Sequence, residues 1–554
     1  MNLLKFINRK TNQSRSEIMR PSNTRLFLAL MTVLVVLIYI IPTVSMYPEE
    51  TRSVSLSSEV SLASNSGYIS QNADLTNSAY EEGDFQCTAV LVGKEASADG
   101  SVMVAHNEDD SGKVVDVLFV NPRNTPFRLL GYFGVRLTNG TWVYRELDTP
   151  LLVPVPKEMH AFWGAVMPGI AFSGRYVNEY GVVIFSNSGV ASREDKPELV
   201  QGGIRDLLRL LVIQQAKTAR EAVKLIGYYV ETYGYGAPAR NYIIADPNEI
   251  WVVNVVYGKH WVAQRVPDDS VVVIPNYLVI REVNLSDTEN FMGSKDLIEY
   301  AIKRGWYDPS RDGVFDFAKA YGTPANQASV GNIYRHQTAL YYITGRVYPT
   351  SYLPFSVKPQ KKLTPQDLMY ILRQVNHAAV DQVKYASSLP GSFHRNLPIR
   401  PIAPWHNQDA WVVQLRSWLP PIIGVVTWRA ANMVDENVFV PIYLGVIYSD
   451  FPAPYKFADP NKIDLNSAYW AFRVFSNFVD LDYQGKMPTV TSYQKTVEEE
   501  FFKMQPYIEE QALKIYNELG AEYAGKYLAM YTSGALMKVY TDILEMIRSW
   551  QSGG

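Results

Sequence analysis

Residues 87–109 read CTAVLVGKEASADGSVMVAHNED, two apolar runs separated by a polar segment that contains Asp99-Gly100. Short apolar runs joined by a glycine-containing loop predict a β-hairpin. The hairpin would bring Cys87, at the start of its first strand, close to the cluster from His106 to Asp109 at the end of its second. A thiol beside imidazole, amide and carboxylate groups indicates a site for nucleophilic chemistry. A single cysteine can also be a small buried apolar residue, so the pattern alone leaves both interpretations open.

The composition limits the classes of protein to be considered. The chain has 554 residues, of which 47% are hydrophobic and 19% charged, so most of it is expected to fold. Its net charge of −3 provides no basic field for nucleic acid, and its single cysteine excludes an intrachain disulfide framework. The seven histidines are scattered without zinc-ligand spacing, and no glycine-rich phosphate loop occurs. We therefore expect no metal, no cofactor and no nucleic-acid partner.

The first 86 residues differ in composition from the rest. Residues 1–25 carry six basic side chains against one acidic side chain, and residues 26–46 are mostly apolar. The basic flank is expected to stay in the cytoplasm, which places the following chain outside it. The length of the apolar run fits a signal peptide or a signal anchor, and both remain open. Residues 47–86 are rich in Ser, Asn and Thr without apolar periodicity, which indicates a linker or propeptide.

The remainder alternates between strand and helix patterns. Strands are predicted at 115–120, 141–147, 182–186, 241–245, 250–256, 261–266 and 271–274, with a β-rich stretch at 410–448. Helices are predicted at 203–213, 218–229, 287–320 and 364–373. Short turns between several strands favour an antiparallel sheet and an α+β fold. Residues 465–554 show helical spacing, so we divide the folded part into a catalytic domain, 87–464, and C-terminal helices.

The segment 87–109 resembles the opening of mature members of the dipeptidase A/secernin family, which are cysteine N-terminal-nucleophile (Ntn) hydrolases. The likeness continues at VNEYGVV (177–183), ADPNEIW (245–251) and HWVAQRVPDD (260–269), and it extends to about residue 480. The resemblance implies a four-layer αββα sandwich of two antiparallel sheets. It also implies cleavage of the Gln86–Cys87 bond, which makes Cys87 the N-terminal residue. Family members hydrolyse dipeptides, and related branches hydrolyse other amides.

The chemistry of such a site follows from the pKa values of its groups. A free thiol is only slightly ionised at neutral pH, because its pKa lies near 8.5. An α-amine has a pKa near 8, which suits a general base at neutral pH. While Gln86 remains attached, the nitrogen of Cys87 is an amide and cannot accept the proton of the thiol. The sequence leaves open whether the chain makes this cut itself.

The resemblance assigns roles to several further residues. Asp109 matches the carboxylate that holds the amine and the thiol. Asn276 matches an oxyanion-hole amide, and Asn187 or Ser188 matches its second donor. Arg335 resembles the arginine that closes the site.

His106 departs from the family pattern, because many relatives have arginine at this position. Histidine is shorter and only partly charged near neutral pH. It could hold the same site less strongly, act as a second base, or be hydrogen-bonded at the strand end without a role in the chemistry.

We therefore expect an extracytoplasmic cysteine dipeptidase, anchored in the membrane or secreted, with a dipeptide or small amide as substrate. An amidase or acylase of the same fold and a membrane-anchored binding protein without turnover are the alternatives. A papain-like protease is disfavoured, because its nucleophile begins a helix whereas Cys87 begins a strand pattern. The membrane is expected as a partner through the N-terminal segment, and homo-oligomer formation stays open.

Overall fold

The computed structural model describes residues 87–110, 115–127, 134–147, 149–167 and 172–552. The predicted cytoplasmic, membrane and linker segments at 1–25, 26–46 and 47–86 lie outside these ranges. None of the helices within the ranges is long and apolar enough to cross a membrane.

Two antiparallel sheets form the centre of the fold. Among the described residues, seven strands make the first sheet, in the order β15-β13-β1-β2-β16-β17-β18. Their bounds are β1 Thr88–Val92, β2 Val102–Asp109, β13 Val271–Ile274, β15 Ser356–Val357, β16 Asn407–Leu415, β17 Val425–Ala431 and β18 Val440–Tyr443. The predicted hairpin is confirmed as β1 and β2, the adjacent central strands of this sheet.

The second sheet contains eight of the described strands, in the order β14-β12-β11-β10-β9-β8-β7-β3. Their bounds are β3 Val117–Asn121, β7 Phe162–Met167, β8 Phe172–Asn178, β9 Val183–Asn187, β10 Tyr235–Ala245, β11 Ile250–Gly258, β12 Trp261–Arg265 and β14 Phe291–Gly293. A small third sheet consists of β4 Gly134–Arg136, β5 Trp142–Arg145 and β6 Leu152–Pro154. The sequence pattern did not predict β7 and β8.

Helices cover the outer faces of the two sheets. Their bounds are α1 Leu207–Gln215, α2 Ala219–Tyr233, α3 Leu297–Lys303, α4 Phe317–Tyr321, α5 Pro324–Gln327, α6 Val330–Thr344, α7 Pro365–Leu372, α8 Val383–Ala386, α9 Pro421–Gly424, α10 Ala468–Leu481, α11 Tyr483–Leu519 and α12 Ala521–Ser552. Helices α1 and α2 pack on the second sheet, and α6 and α7 pack on the first. The sheets face each other, with Trp163 of β7 stacked on Trp411 of β16 at 4.6 Å. The order of layers is therefore αββα, as the resemblance implies.

The helix predicted at 287–320 is confirmed only in part, as two short helices. This region contains the short strand β14, the helix α3, a loop and the helix α4. Gly305 and Gly313 both have positive φ, 69° and 73°, and Asp308-Pro309 lies between them. Left-handed glycines and a proline interrupt the backbone hydrogen bonds of a helix, so the apolar residues around them do not form one continuous helical face.

A glycine in α2 lets this helix lie close to the second sheet. A Cβ atom at Gly227 would stand 2.1 Å from Cζ2 of Trp261. We expect Gly227→Ala to lower the free energy of unfolding by about 1–3 kcal/mol, because the helix or the ring must move. The matched control is Gly534→Ala in α12, where nothing lies within 4 Å of the added atom. Gly534→Ala should raise the free energy of unfolding by about 0.5–1 kcal/mol. Equal effects of the two substitutions on urea unfolding would contradict the prediction.

Candidate active site

Cys87 lies directly before β1, at the end of the hairpin that also carries the polar cluster. The hairpin pairs Thr88 with Asn107, so Cys87 faces Glu108 across the two strands. The Cys87 thiol donates a hydrogen bond to Oε1 of Glu108 at 3.5 Å. A ring nitrogen of His106 lies within 4.8 Å of both groups. The hairpin thus places a thiol, a carboxylate and an imidazole together, as its sequence predicts.

The thiol is fully buried, and this burial determines its protonation. Burial raises the pKa of Cys87 well above its usual value, and the charges of Glu108 and Asp109 raise it further. A hydrogen bond from the Asp109 backbone and the charge of Arg175 lower it by less. The group is therefore a neutral thiol at neutral pH, and it needs a base to become a nucleophile.

Arg175 of β8 connects the thiol to a charged cluster between the sheets. It lies 3.3 Å from Glu108 and 3.5 Å from Asp116, and it also pairs with Asp409. Arg429 pairs with Asp116 at 2.7 Å and with Asp409 at 3.0 Å. The side chains of this cluster, two arginines and three carboxyl groups, are each at most 5% exposed. Buried charges of this kind are stable only when each is paired.

The structure makes His106 a neutral hydrogen-bond donor. Its Nε2 lies 2.9 Å from Oδ1 of Asn187. The Asn187 amide nitrogen already donates to the carbonyl oxygen of Ile274 at 2.8 Å, so its oxygen must be the acceptor. Burial first, and Arg175 second, lower the pKa of His106 to about 3. His106 therefore neither carries the charge of the family arginine nor has the pKa of an effective base at neutral pH.

Arg175, on the opposite sheet, provides a positive charge near the thiol that neutral His106 does not. His106 orients Asn187, whose amide nitrogen also lies 3.5 Å from the Cys87 carbonyl oxygen.

Arg335 of α6 holds the backbone at Cys87. Its Nη1 donates to the Cys87 carbonyl oxygen at 2.6 Å and to Oγ1 of Thr88 at 2.7 Å. Its Nη2 donates to Oδ1 of Asn276 at 2.9 Å. The Asn276 amide nitrogen in turn donates to the carbonyl oxygen of Ser188 at 2.6 Å. Arg335, Asn276 and Asn187 therefore meet around Cys87, although they come from separate parts of the chain.

Asp109 lies at the same end of the sheet but contacts different partners. Its carboxylate accepts hydrogen bonds from Nη2 of Arg400 at 3.0 Å and from Nδ2 of Asn407 at 2.8 Å. Burial raises the pKa of Asp109 to about 6, and the Arg400 charge is the first of the effects that oppose this rise. In this intact chain the side chain that touches the thiol is Glu108, and Asp109 reaches it through its backbone.

The sequence did not predict a role for Glu108, Arg175 or Arg400. The hairpin register could have identified Glu108, since it lies opposite Cys87. Arg175 and Arg400 come from distant segments without a motif.

Two sets of described residues could hold a metal ion. They are Cys87, His106 and Glu108 in this site, and His394, Asp435 and Glu436 elsewhere. The first set offers sulfur, nitrogen and oxygen ligands of the kinds that bind zinc. The expected absence of a metal stays a prediction.

A protein-family model matches more than half of this chain. The model for peptidase family C69 matches residues 86–127 and 182–496, and so begins one residue before Cys87. The chain belongs to peptidase family C69. The resemblance to cysteine Ntn dipeptidases is thereby confirmed, and the protein is a peptide-hydrolysing enzyme.

Several curated proteins are similar to this C69 peptidase. A probable dipeptidase of Latilactobacillus sakei is 27% identical over 424 residues, covering 74% of this chain and 85% of that protein. Dipeptidase A of Lactobacillus helveticus is 25% identical over 417 residues, covering 72% and 83%. A dipeptidase of Bifidobacterium longum is 27% identical over 450 residues, covering 74% and 80%.

The chain also resembles solved structures at low sequence identity. Penicillin V acylase from Agrobacterium tumefaciens shares 12% identity at a TM-score of 0.30, with 64% of this chain and 86% of that chain covered. A variant of conjugated bile acid hydrolase from Clostridium perfringens shares 12% identity at a TM-score of 0.29, with 67% and 99% covered.

Proposed function

We propose that this C69 peptidase hydrolyses dipeptides, with Cys87 as its N-terminal nucleophile after cleavage of the Gln86–Cys87 bond. The observation that carries the proposal is the fully buried Cys87 thiol, whose neighbouring imidazole donates its Nε2–H to Asn187 at 2.9 Å. Burial also lowers the pKa of His106 to about 3. The imidazole near Cys87 is thus too weak a base for the neutral thiol. A free α-amine on the same residue would supply a base with a pKa near 8. The names of the curated relatives support dipeptides as the substrate class.

In this mechanism the α-amine takes the thiol proton, and the thiolate attacks the carbonyl carbon of the dipeptide. The resemblance assigns stabilisation of the oxyanion to Asn276 and the Asn187–Ser188 segment. To do this, the side-chain amides of Asn276 and Asn187 would turn from their present acceptors, the carbonyl oxygens of Ser188 and Ile274. The ammonium then gives its proton to the leaving amine as the peptide C–N bond breaks. The first amino acid remains as a thioester on Sγ. The amine next removes a proton from water, which hydrolyses the thioester and regenerates the thiol.

Two polypeptides that differ by one residue test whether the α-amine of Cys87 is the general base. One begins at Cys87 and the other at Gln86, and both are assayed with an unblocked dipeptide and its N-acetyl derivative. We expect the Gln86 form to be slower on the dipeptide by about 10²–10⁴-fold, the usual contribution of a general base. Equal rates would reject the α-amine and favour Glu108, the carboxylate at the thiol. Hydrolysis of only the N-acetyl substrate would instead indicate an acylase, and binding without turnover of either would indicate a binding protein.

We also propose that the catalytic part acts on the extracytoplasmic side. The support is the basic segment 1–25 before the apolar segment 26–46. Cleavage before Cys87 would separate the enzyme from that segment. N-terminal sequencing and membrane fractionation of the extracytoplasmic material test this directly. An N-terminus at Cys87 in the soluble fraction is expected, and activity found only in the cytoplasm would contradict the proposal.

The pH dependence of the reaction should depend on Arg400. Asp109, with a pKa of about 6, must be ionised to hold the α-ammonium group of Cys87, and Arg400 favours that ionised form. The α-amine, with a pKa near 8, gives the first step on the acidic limb of the kcat/KM profile, and Asp109 gives a second step below it. We expect Arg400→Gln to raise the pKa of Asp109, so this second step moves to higher pH. The rate near pH 8 should change less. Arg220→Gln, which removes a distant pair with Glu249, is the control. A second step that does not move would exclude Asp109 as the group titrated there.

A further inference from the structure

A second buried cluster of titratable groups lies outside the proposed active site. It comprises His394 in a short 3₁₀ helix, Asp435 and Glu436 in the segment after β17, and Asp480 in α10. The side chains are 0%, 4%, 0% and 8% exposed, respectively. Nδ1 of His394 lies 2.8 Å from Oδ1 of Asp480, and its Nε2 lies 3.1 Å from Oδ2 of Asp435. One imidazole is thus surrounded by three carboxyl groups.

Glu436 distinguishes this cluster from an ordinary buried ion pair. Both of its carboxylate oxygens are buried, and neither makes a hydrogen bond of good geometry with the described residues. The Ser476 hydroxyl is a polar neighbour, but it stabilises the carboxylate less than the His394 charge does. Its ion-pair contact is with Nδ1 of His394, at 3.8 Å. Even a protonated imidazole would balance only one of the three carboxyl groups if all of them were ionised. An ionised carboxylate in such surroundings is costly unless a cation pairs with it.

We propose that His394, Asp435 and Glu436 bind one divalent transition-metal cation. Each can offer one ligand atom, and the three atoms lie within 4.8 Å of one another. Ligand atoms about 2.0–2.2 Å from a shared ion are at most about 4.4 Å apart, so the site needs only small side-chain movements to close on an ion. The set contains nitrogen and oxygen but no sulfur. One imidazole with carboxylates fits Mn²⁺ or Zn²⁺ better than Ca²⁺ or Mg²⁺, which take oxygen ligands.

Asp480 completes the arrangement from outside the ligand set. When Nδ1–H of His394 donates to Asp480, Nε2 presents its lone pair toward Asp435. A carboxylate that fixes the tautomer of a metal-binding histidine in this way is a common partner in metal sites. Asp480 also accepts a hydrogen bond from the His394 backbone at 2.9 Å. The ion would join the His394 segment to the Asp435–Glu436 segment, and Asp480 would connect His394 to α10, so binding should stabilise the fold.

Metal content of the full chain tests the proposal. The chain is treated with a chelator and dialysed against Mn²⁺, and the bound ion per chain is measured. We expect about one ion in the wild type and in Cys87→Ser, no retained ion in Glu436→Gln, and binding weakened about 10–100-fold in Asp480→Asn. Retention by Glu436→Gln, or loss confined to Cys87→Ser, would overturn the site. Failure of the wild type to bind either Mn²⁺ or Zn²⁺ would overturn it as well.

A spectroscopic measurement covers the case in which Glu436→Gln does not fold. One equivalent of Co²⁺ added to the wild-type chain should give d–d bands without a thiolate charge-transfer band, because the proposed ligands contain no sulfur. A thiolate band would place the first ion at Cys87, the other candidate set, and would overturn the proposal.

Discussion

Cys87→Ala is expected to abolish peptide hydrolysis, with a fall in kcat/KM on the order of 10⁴-fold or more, as for other enzymes that lose their nucleophile. The change removes the thiol that would form the thioester. It leaves intact the hydrogen bond between Arg335 and the Cys87 carbonyl oxygen, at 2.6 Å, because that bond uses the backbone. Release of free amino acids from unblocked dipeptides measures the effect. Turnover at the wild-type rate would show that another residue is the nucleophile.

The fold of this variant must be measured alongside its activity. Alanine loses one buried sulfur atom and its 3.5 Å contact with Glu108, so we expect a change in stability of about 1 kcal/mol. Cys87→Ser is the matched variant, because its hydroxyl keeps a donor toward Glu108. Serine is a weaker nucleophile without a stronger base, so this variant should also be nearly inactive. Normal melting of both variants together with lost turnover would assign a chemical role to the thiol.

The parts of this site that depend on neighbouring residues could be predicted from the sequence. The Asp99-Gly100 turn and the apolar runs beside it are local signals, and they gave the β1–β2 hairpin correctly. The register of that hairpin is also local, and it places Cys87 opposite Glu108. The family resemblance predicted site roles for Asn187, Asn276 and Arg335. Their spacing in the sequence alone would not have shown that they lie close together.

The parts that depend on packing between layers could not be predicted. Arg175 reaches the thiol region only because β8 faces β2 across the sandwich. The protonation of His106 is another case. Its residue type suggests partial charge near neutral pH, but complete burial and Arg175 lower its pKa to about 3. The sequence cannot show which polar residues lose all contact with water.

Arg175→Met should lower the free energy of unfolding by about 3–5 kcal/mol, the usual effect of removing one partner from a buried ion pair. Methionine leaves Glu108, Asp116 and Asp409 with Arg429 as the remaining arginine of the cluster. Arg311→Met is the control, because Arg311 is 69% exposed and solvent screens its pair with Asp312. Urea unfolding at pH 8 measures both. Equal stability of the two variants would contradict a structural role for the buried cluster.

The pH dependence distinguishes lost charge pairing from lost packing. Burial already raises the pKa of Glu108 and of Asp116, and removing Arg175 removes an effect that lowers both. A carboxyl group with a raised pKa in the folded state binds a proton more readily there than in the unfolded chain. Stability of Arg175→Met relative to the wild type should therefore recover as pH falls from 8 toward 5. A deficit that stays constant over this range would indicate lost packing instead.

The same substitution should also change the thiol, because Arg175 lowers the pKa of Cys87. We expect alkylation of Cys87 in Arg175→Met to require a higher pH than in the wild type. Adding Glu108→Gln to Arg175→Met removes one unpaired carboxylate and one charge that raises the thiol pKa. The double variant should therefore be more stable than Arg175→Met alone, and its alkylation profile should move back toward the wild type. If the losses in free energy of unfolding from the two substitutions were additive, Glu108 and Arg175 would act independently at Cys87.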